Sequence, residues 1–350
     1  MMNRQVSIGP VSGQLKPKYK VITALATDDK YMMPPKKDVF IDLNTMIISG
    51  AGYKKYLMSL PFAQDVEKDI IYSILMIVKH WKDYLKKWDD TRIFLIMNDF
   101  DMFMLAEGDT IRSYLLPYVN KFESDVLQQF VYYWTESIKR VEIILKYIPN
   151  VYLIRCNRFD SYVIPNVIDD YSKNDKHRII ISGNNMMTNY TYMPNTSMLF
   201  SRYTKNGMSQ ITDPAMIVSY LTKIDEPLMD IFSQNKVFYN ILNSIVGDYE
   251  RGIVGISNIG ISSFALDLLR AVEKKEIPNN PASIDSVLPA INKNYRDYIK
   301  KNYPLIDIET HSKLIPQSMI EKVKSTMVDL YDIDGLRSLN IDGLNLLELI

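Results

Sequence analysis

The sequence is poor in the residue types that build redox centres, zinc sites and nucleotide-phosphate sites. Of its 350 residues, one is a cysteine, Cys156, and three are histidines, His80, His177 and His311. A single cysteine excludes an intramolecular disulfide and is typical of a reducing compartment. The chain has no cysteine–histidine zinc pattern and no Gly-Lys-Ser phosphate-binding loop. Because the histidines are scattered, we interpret each as an ordinary surface or core residue.

The sequence also lacks an excess of charge of either sign, and it lacks a long apolar run. Its 41 basic and 41 acidic residues cancel, so a nucleic-acid-binding face has to come from local clustering of charge. No apolar run reaches membrane-spanning length, and the N-terminal residues lack the apolar core of a signal peptide. We therefore expect no membrane partner and a cytoplasmic location, which for a viral protein means the host cytoplasm or the virion. Apolar residues make up 47% of the chain, which suits a large folded core.

The most informative stretch is rich in glycine and spans residues 244–269. Glycines at 247, 252, 255 and 260 lie in an apolar frame, and two serines precede a periodic apolar run. Glycine permits tight turns, and serines before such a run are typical of a helix N-terminus. The pattern predicts two helices joined by a tight turn, over residues 240–272. Free N–H groups at the second helix's N-terminus suit a DNA phosphate. We predict DNA contacts at Gly255, Asn258, Gly260, Ser262 and Ser263.

Four apolar blocks predict buried strands of a mostly parallel central sheet. They lie within residues 38–48, 91–99, 151–155 and 177–187 and alternate with helical patterns. Such alternation predicts an α/β domain over residues 38–272, with helices on both faces of the sheet. Asp42 and Asp99 end the first two blocks, Asp101 is the alternative to Asp99, and Asp160 follows the third block. Aspartate is also common in helix caps and turns, which is the structural alternative for each of them. Asn206-Gly207 predicts a hairpin turn further on.

In this order, the motifs resemble the flap endonuclease and 5′-exonuclease family. Seven residues match the family's helix–turn–helix without gaps, namely Gly247, Asp248, Gly255, Ile259, Gly260, Leu268 and Leu269. Ser182 and Gly183 match the exit of its fourth strand. The resemblance covers residues 38–272 and implies that the strand-end aspartates correspond to metal ligands.

The sequence departs from the family where further carboxylates are expected. Those positions hold Arg158, Ser161, Asn184, Met186 and Arg251. Two-metal cleavage of a phosphodiester needs a ring of carboxylates, whereas an arginine beside an aspartate acts as a built-in counter-ion. We therefore interpret Asp42, Asp99, Asp160 and Asp248 as vestigial catalytic residues, with Arg158 and Arg251 as charge substitutes. A single Mg²⁺ on Asp42, Asp99 and Asp160, with help from Asn184, stays the alternative.

Three functions are compatible with these motifs. The first is a nuclease-fold protein without efficient cleavage, a structural or DNA-contacting part of a larger assembly such as a phage virion. Abundant asparagine, lysine, isoleucine and tyrosine suggest an AT-rich genome, which many phages have. The second is an active metal-dependent 5′-nuclease acting on branched or 5′-ended DNA. The third is a PIN-like ribonuclease, against which the motif at 247–269 argues.

The two ends of the chain are predicted to bind protein partners. Residues 1–37 are polar, contain several prolines and predict an extended arm. Residues 273–350 predict a helical extension that ends in a leucine-rich tail. A tail this apolar either folds back on the domain or binds a partner.

Overall fold

In a computed structural model, six strands of the described residues form one sheet in the order β3-β2-β1-β4-β5-β6. The structure describes residues 37–43, 63–85, 91–98, 124–156, 160–168, 176–182, 184–204, 207–211, 235–248, 253–256, 261–327 and 333–338. The strands are β1 (Lys37–Asp42), β2 (Arg92–Asn98), β3 (Val151–Cys156), β4 (His177–Ser182), β5 (Thr196–Thr204) and β6 (Gly207–Ile211). The first five are parallel to their neighbours, and β6 is antiparallel to β5. This confirms the predicted α/β class with its mostly parallel sheet. The antiparallel pair of β5 and β6 agrees with the predicted hairpin, with Gly207 as the first residue of β6 and Asn206 outside the described residues.

Helices cover the sheet and account for most of the remaining described residues. They are α1 (Ala63–Leu85), α2 (Ser124–Leu145), α3 (Ile164–Ile168), α4 (Lys236–Val246), α5 (Ile261–Glu273), α6 (Lys293–Ile306), α7 (Ile308–Ser312), α8 (Gln317–Ser325) and α9 (Ile333–Ser338). A 3₁₀ helix, Asn185–Tyr192, follows β4, and two short 3₁₀ turns lie between α5 and α6. Within the described residues, no helix is long and apolar enough to cross a membrane.

Both faces of the sheet are buried. Successive side chains of a strand point to opposite faces, and Val39, Phe40 and Ile41 of β1 are all at most 1% exposed. On one face, Phe40 stacks on Phe94 of β2 with ring centroids 4.7 Å apart, and Tyr152 of β3 continues the row at 5.4 Å. The core on this face includes residues of α3, α7, α8 and the 3₁₀ helix. Burial on both faces explains why the strands have continuous apolar sequences rather than alternating ones.

Polar contacts tie the helices after residue 272 to α4. Asp307, the N-cap of α7, accepts hydrogen bonds from Lys236 Nζ at 2.8 Å and Asn240 Nδ2 at 2.9 Å, both on α4. Burial alone would raise the pKa of the Asp307 carboxyl, but the Lys236 charge and hydrogen bonds from Lys236 and Thr310 outweigh it. The net result is a pKa below the ordinary value. The buried carboxylate is thus held as an anion between α4 and α7.

The connection between α4 and α5 is built around two glycines. Gly247 ends α4 with a φ of 74°, and Asp248 and Ile253 exchange two backbone hydrogen bonds of 2.8 and 2.9 Å. Gly255 lies against the end of α4, where an added Cβ would be 2.0 Å from the carbonyl oxygen of Val246. The predicted pair of helices is therefore present, and Gly255 packs closely against the first helix, but residues 247–260 separate the helices where a tight turn was predicted. The role of this pair as a DNA-binding helix–turn–helix stays a prediction.

We predict that Gly255→Ala lowers the free energy of unfolding by about 3 kcal/mol, since the new methyl group meets rigid backbone rather than a mobile side chain. Urea denaturation followed by circular dichroism measures the change. Glu273→Ala, at the exposed end of α5, is the control and should change stability by less than about 0.5 kcal/mol. An unchanged urea midpoint for Gly255→Ala would contradict the close packing of this turn.

Candidate active site

The sheet topology brings Asp42 and the ends of β3 and β4 to one edge. Strands β1 to β4 are mutually parallel where they pair, so their carboxyl ends point the same way, and β1 lies between β2 and β4. Asp42 ends β1, Ser182 ends β4, and Asp160 follows the end of β3 by four residues. Ligands of parallel α/β sheets bind at this edge. We therefore take the carboxyl edge of the sheet as the candidate active site.

Asp42 is linked to the exit of β4 through Ser182. The Ser182 hydroxyl donates to Asp42 Oδ2 at 2.6 Å, and it accepts a hydrogen bond from the Asn184 backbone N–H at 3.0 Å. Ser182 and Asn184 are both buried, at 0% and 4% exposure. The Ser182 hydroxyl therefore donates to the Asp42 carboxylate and accepts from the backbone that follows β4.

Asn184 and Met186 have structural contacts at the next two positions of interest. Asn184 is the N-cap of the 3₁₀ helix, and its Oδ1 accepts from the Met186 backbone N–H at 2.8 Å. Capping of this kind is the usual role of an asparagine before a helix. The Met186 side chain is 2% exposed and packs in the core beneath the sheet. The amide oxygen predicted to help hold a metal is thus engaged with backbone, and its role as a ligand stays a prediction.

Asp160 contacts a histidine from the C-terminal part of the chain. Nε2 of His311, on α7, lies 3.3 Å from Asp160 Oδ1. Nδ1 of the same ring lies 2.8 Å from the Tyr162 hydroxyl and 3.1 Å from the Leu305 carbonyl oxygen. The imidazole is 4% exposed and meets the Tyr162 ring edge-on, with centroids 5.2 Å apart. His311 is therefore a buried part of the candidate site.

The contact with Asp160 assigns the hydrogen on Nε2 of His311. A carboxylate only accepts hydrogen bonds, so Nε2 has to carry a proton to bond Asp160. In the neutral ring, Nδ1 then accepts from the Tyr162 hydroxyl, whereas in the imidazolium it donates to Leu305 or Tyr162. In both forms Nε2–H donates to the Asp160 carboxylate.

Sequence reasoning missed His311, which we interpreted as an ordinary residue. It lies 151 positions from Asp160 in the sequence, and no motif surrounds it. The sequence around His311 has no pattern that predicts a contact with a distant aspartate. Its contact with Asp160 depends on how the C-terminal helices pack, and the chain alone does not reveal that.

Asp248 and the predicted DNA contacts lie on the connection between α4 and α5. Asp248 is 7% exposed, whereas Val254 on the same connection is 61% exposed. Ser263, in the first turn of α5, is exposed. Gly255 is buried against α4, so a DNA contact there would use the turn's backbone.

Several predicted site residues lie outside the described residues. They are Asp99, Asp101, Arg158, Arg251, Asn258 and Gly260, and only the helical backbone is described for Ser262. Their roles as metal ligands, charge substitutes and DNA contacts stay predictions.

The described donors do not by themselves fit a metal centre. Among the described residues, no three histidine, cysteine, aspartate or glutamate side chains form a group that could hold a metal ion. Asp42, Asp160 and Asn184 each have one oxygen in a hydrogen bond within the protein. Mg²⁺ prefers octahedral coordination by hard oxygen atoms, so it would have to displace or share these bonds.

Comparison with known proteins gives similarity in structure but not in sequence. No protein-family model and no curated protein sequence matches the chain. The chain is similar to the bacteriophage T5 D15 flap endonuclease, solved as a pseudo-enzyme–product complex with DNA and metal ions. That match has 15% identity and a TM-score of 0.49, and it covers 86% of this chain and 100% of the other.

Two further solved structures are similar to the chain. The T5 5′-exonuclease with bound zinc has 14% identity and a TM-score of 0.44, with 83% of this chain and 98% of the other covered. The catalytic core of Rad2 in complex with DNA substrate has 13% identity and a TM-score of 0.34, with 87% and 86% covered.

We predict that Ser182 and Asp42 are energetically coupled. In a double-mutant cycle of Ser182→Ala and Asp42→Ala, the coupling should be about 1.5–3 kcal/mol, the usual range for a hydrogen bond to a charged group. Urea denaturation of the four proteins measures it. Ser182→Ala combined with Asp267→Ala, on the exposed side of α5, is the control pair and should be additive. Additive effects for Ser182 and Asp42 would contradict the bond.

Proposed function

We propose that this chain is a nuclease-fold protein that has lost efficient cleavage and serves as a structural or DNA-contacting component of a larger assembly. The observation that carries the proposal is the bonding at the carboxyl edge of the sheet. There, Asp42 is bonded by Ser182 and Asp160 by His311. Protein donors thus occupy carboxylate oxygens of the kind that a catalytic metal centre needs.

Loss of cleavage follows from what the reaction requires. Hydrolysis of a phosphodiester by two divalent ions needs oxygen ligands that hold the ions, activate water and stabilise the leaving oxygen. At the exit of β4, the amide of Asn184 caps a helix and Met186 is buried in the core. Neither position supplies a carboxylate. The chain therefore has the fold of a nuclease without the density of negative charge that two-metal cleavage needs.

Contact with DNA is proposed for the connection between α4 and α5. Val254 is exposed on this connection, and Ser263 is exposed in the first turn of the 13-residue helix α5. Backbone N–H groups at a helix N-terminus bind phosphate without reading base sequence. Protein partners are proposed for the arm at residues 1–37 and for the apolar C-terminal tail, and a phage virion is the assembly we favour.

The second candidate is an active metal-dependent 5′-nuclease that cuts branched or 5′-ended DNA. It is favoured by the retention of Asp42 and Asp160 at the carboxyl edge of a parallel sheet. It requires Asp99 and other acids to complete the site with Mg²⁺.

We predict that the purified protein does not cleave a labelled 5′-flap duplex in Mg²⁺ or Mn²⁺ above the level of Asp42→Ala and Asp160→Ala, because both carboxylates are engaged within the protein. Denaturing gel electrophoresis measures cleavage under single-turnover conditions. Cleavage by the wild type that disappears in both variants would overturn the proposal in favour of the active nuclease.

We predict that Ser263→Asp weakens binding of the same flap duplex at least about fivefold, since it puts a negative charge beside a phosphate at a helix N-terminus. Ser318→Asp is the matched control, because Ser318 is also exposed in the first turn of a helix, α8. Fluorescence anisotropy at a fixed salt concentration measures both. Equal binding by the two variants, or no binding by the wild type, would contradict DNA contact through α5 and leave a protein scaffold.

A further inference from the structure

Contacts other than the one with Asp160 hold the side chain of His311 in place. Asp307 caps its helix by accepting from the Thr310 N–H at 3.0 Å and the Thr310 hydroxyl at 2.7 Å. Ile308, on the same short helix, is fully buried in the core beneath the sheet. The Nδ1 side of the ring faces the Tyr162 hydroxyl at 2.8 Å and the Leu305 carbonyl oxygen at 3.1 Å. The Nε2–H donor therefore points at Asp160 with little freedom to turn away.

The partner carboxylate is also restrained. The Asp160 side chain is 15% exposed, and the backbone carbonyl of Asp160 accepts from the Val163 N–H at 3.1 Å, in the turn that leads into α3. The neighbouring Tyr162 is itself anchored, since its carbonyl accepts from the Tyr190 hydroxyl at 2.7 Å. The His311 donor and the Asp160 acceptor therefore lie on two packed segments of the chain, and both segments are restrained.

We propose that His311 takes the place of a metal ion at Asp160. It acts as a positioning residue that occupies one carboxylate oxygen with an N–H donor and so lowers the affinity of this edge for divalent cations. The inference rests on the proposed function, because it explains how a retained aspartate persists without its metal. A cation that used Oδ1 of Asp160 would have to break the bond to His311 first.

Two substitutions separate the bond to Asp160 from the rest of the ring's contacts. Asparagine places its amide near the position of Nδ1 and ends short of Nε2, so His311→Asn removes the contact with Asp160 and keeps an inward polar group. Glutamine reaches the Nε2 position with an N–H donor, so His311→Gln keeps the contact. The pair differs by one methylene group and tests the donor rather than the packing.

The experiment measures Mn²⁺ binding to the full chain by electron paramagnetic resonance of free Mn²⁺. We expect His311→Asn to bind Mn²⁺ about fivefold more tightly than the wild type, the factor that corresponds to one net hydrogen bond. His311→Gln should stay within about twofold of the wild type. Adding Asp160→Asn to His311→Asn should abolish the gain. Circular dichroism checks that each variant is folded, and His311→Ala replaces His311→Asn if the latter does not fold.

Three results would overturn the inference. They are no gain in His311→Asn, an equal gain in His311→Gln, and a gain that survives Asp160→Asn. The flap cleavage assay of the wild type tests the proposed function independently of the Mn²⁺ titration. Absence of cleavage together with no Mn²⁺ gain would reject only the role of His311.

Discussion

Parallel pairing of β1 with β2 on one side and with β4 on the other places Asp42 at the carboxyl edge of the sheet. Ile41 lies opposite Ile181 of β4, so the next residues, Asp42 and Ser182, are neighbours on adjacent strands. Parallel strands lie about 4.8 Å apart, which lets a serine reach the aspartate directly. On the other side, Asn98 of β2 lies opposite Cys156 of β3, so the chain leaves both strands at the same level. The pairing register of these parallel strands therefore determines which side chains lie together at the candidate site.

Acidic side chains at such an edge need compensation in any protein that keeps them. A half-buried carboxylate loses hydration, and a second negative charge nearby adds repulsion, so a cation or hydrogen-bond donors have to make up the difference. Here the described donors are a hydroxyl and an imidazole N–H. Hydrogen bonds to an ionised acceptor are stronger than those between neutral groups, and they keep their geometry without an ion. Retention of Asp42 and Asp160 is therefore consistent with a site that no longer cleaves.

The sequence predicts the parts of this fold that depend on local patterns. Buried strands appear as continuous apolar runs, and the Asn206-Gly207 dipeptide marks the hairpin, because each depends on a few neighbouring residues. The role of Asn184 was also within reach, since asparagine is a common helix cap, but the resemblance to a metal site favoured the other interpretation. His311 was out of reach. Its contact joins positions 151 residues apart and depends on the packing of α6 and α7, for which no local pattern exists.

The segment from α6 to α7 joins the sheet edge to the connection between α4 and α5 through three polar side chains. Asn302 donates to the carbonyl oxygens of Ser244 and Val254, each at 2.9 Å, so it holds the turn that carries the proposed DNA contacts. Asp307 bonds α4, and His311 bonds Asp160. Buried polar contacts such as these are costly to break one at a time, because each leaves an unsatisfied partner. Hydrogen bonds of Asn302, Asp307 and His311 therefore connect the exposed turn, α4 and Asp160 to one segment of the chain.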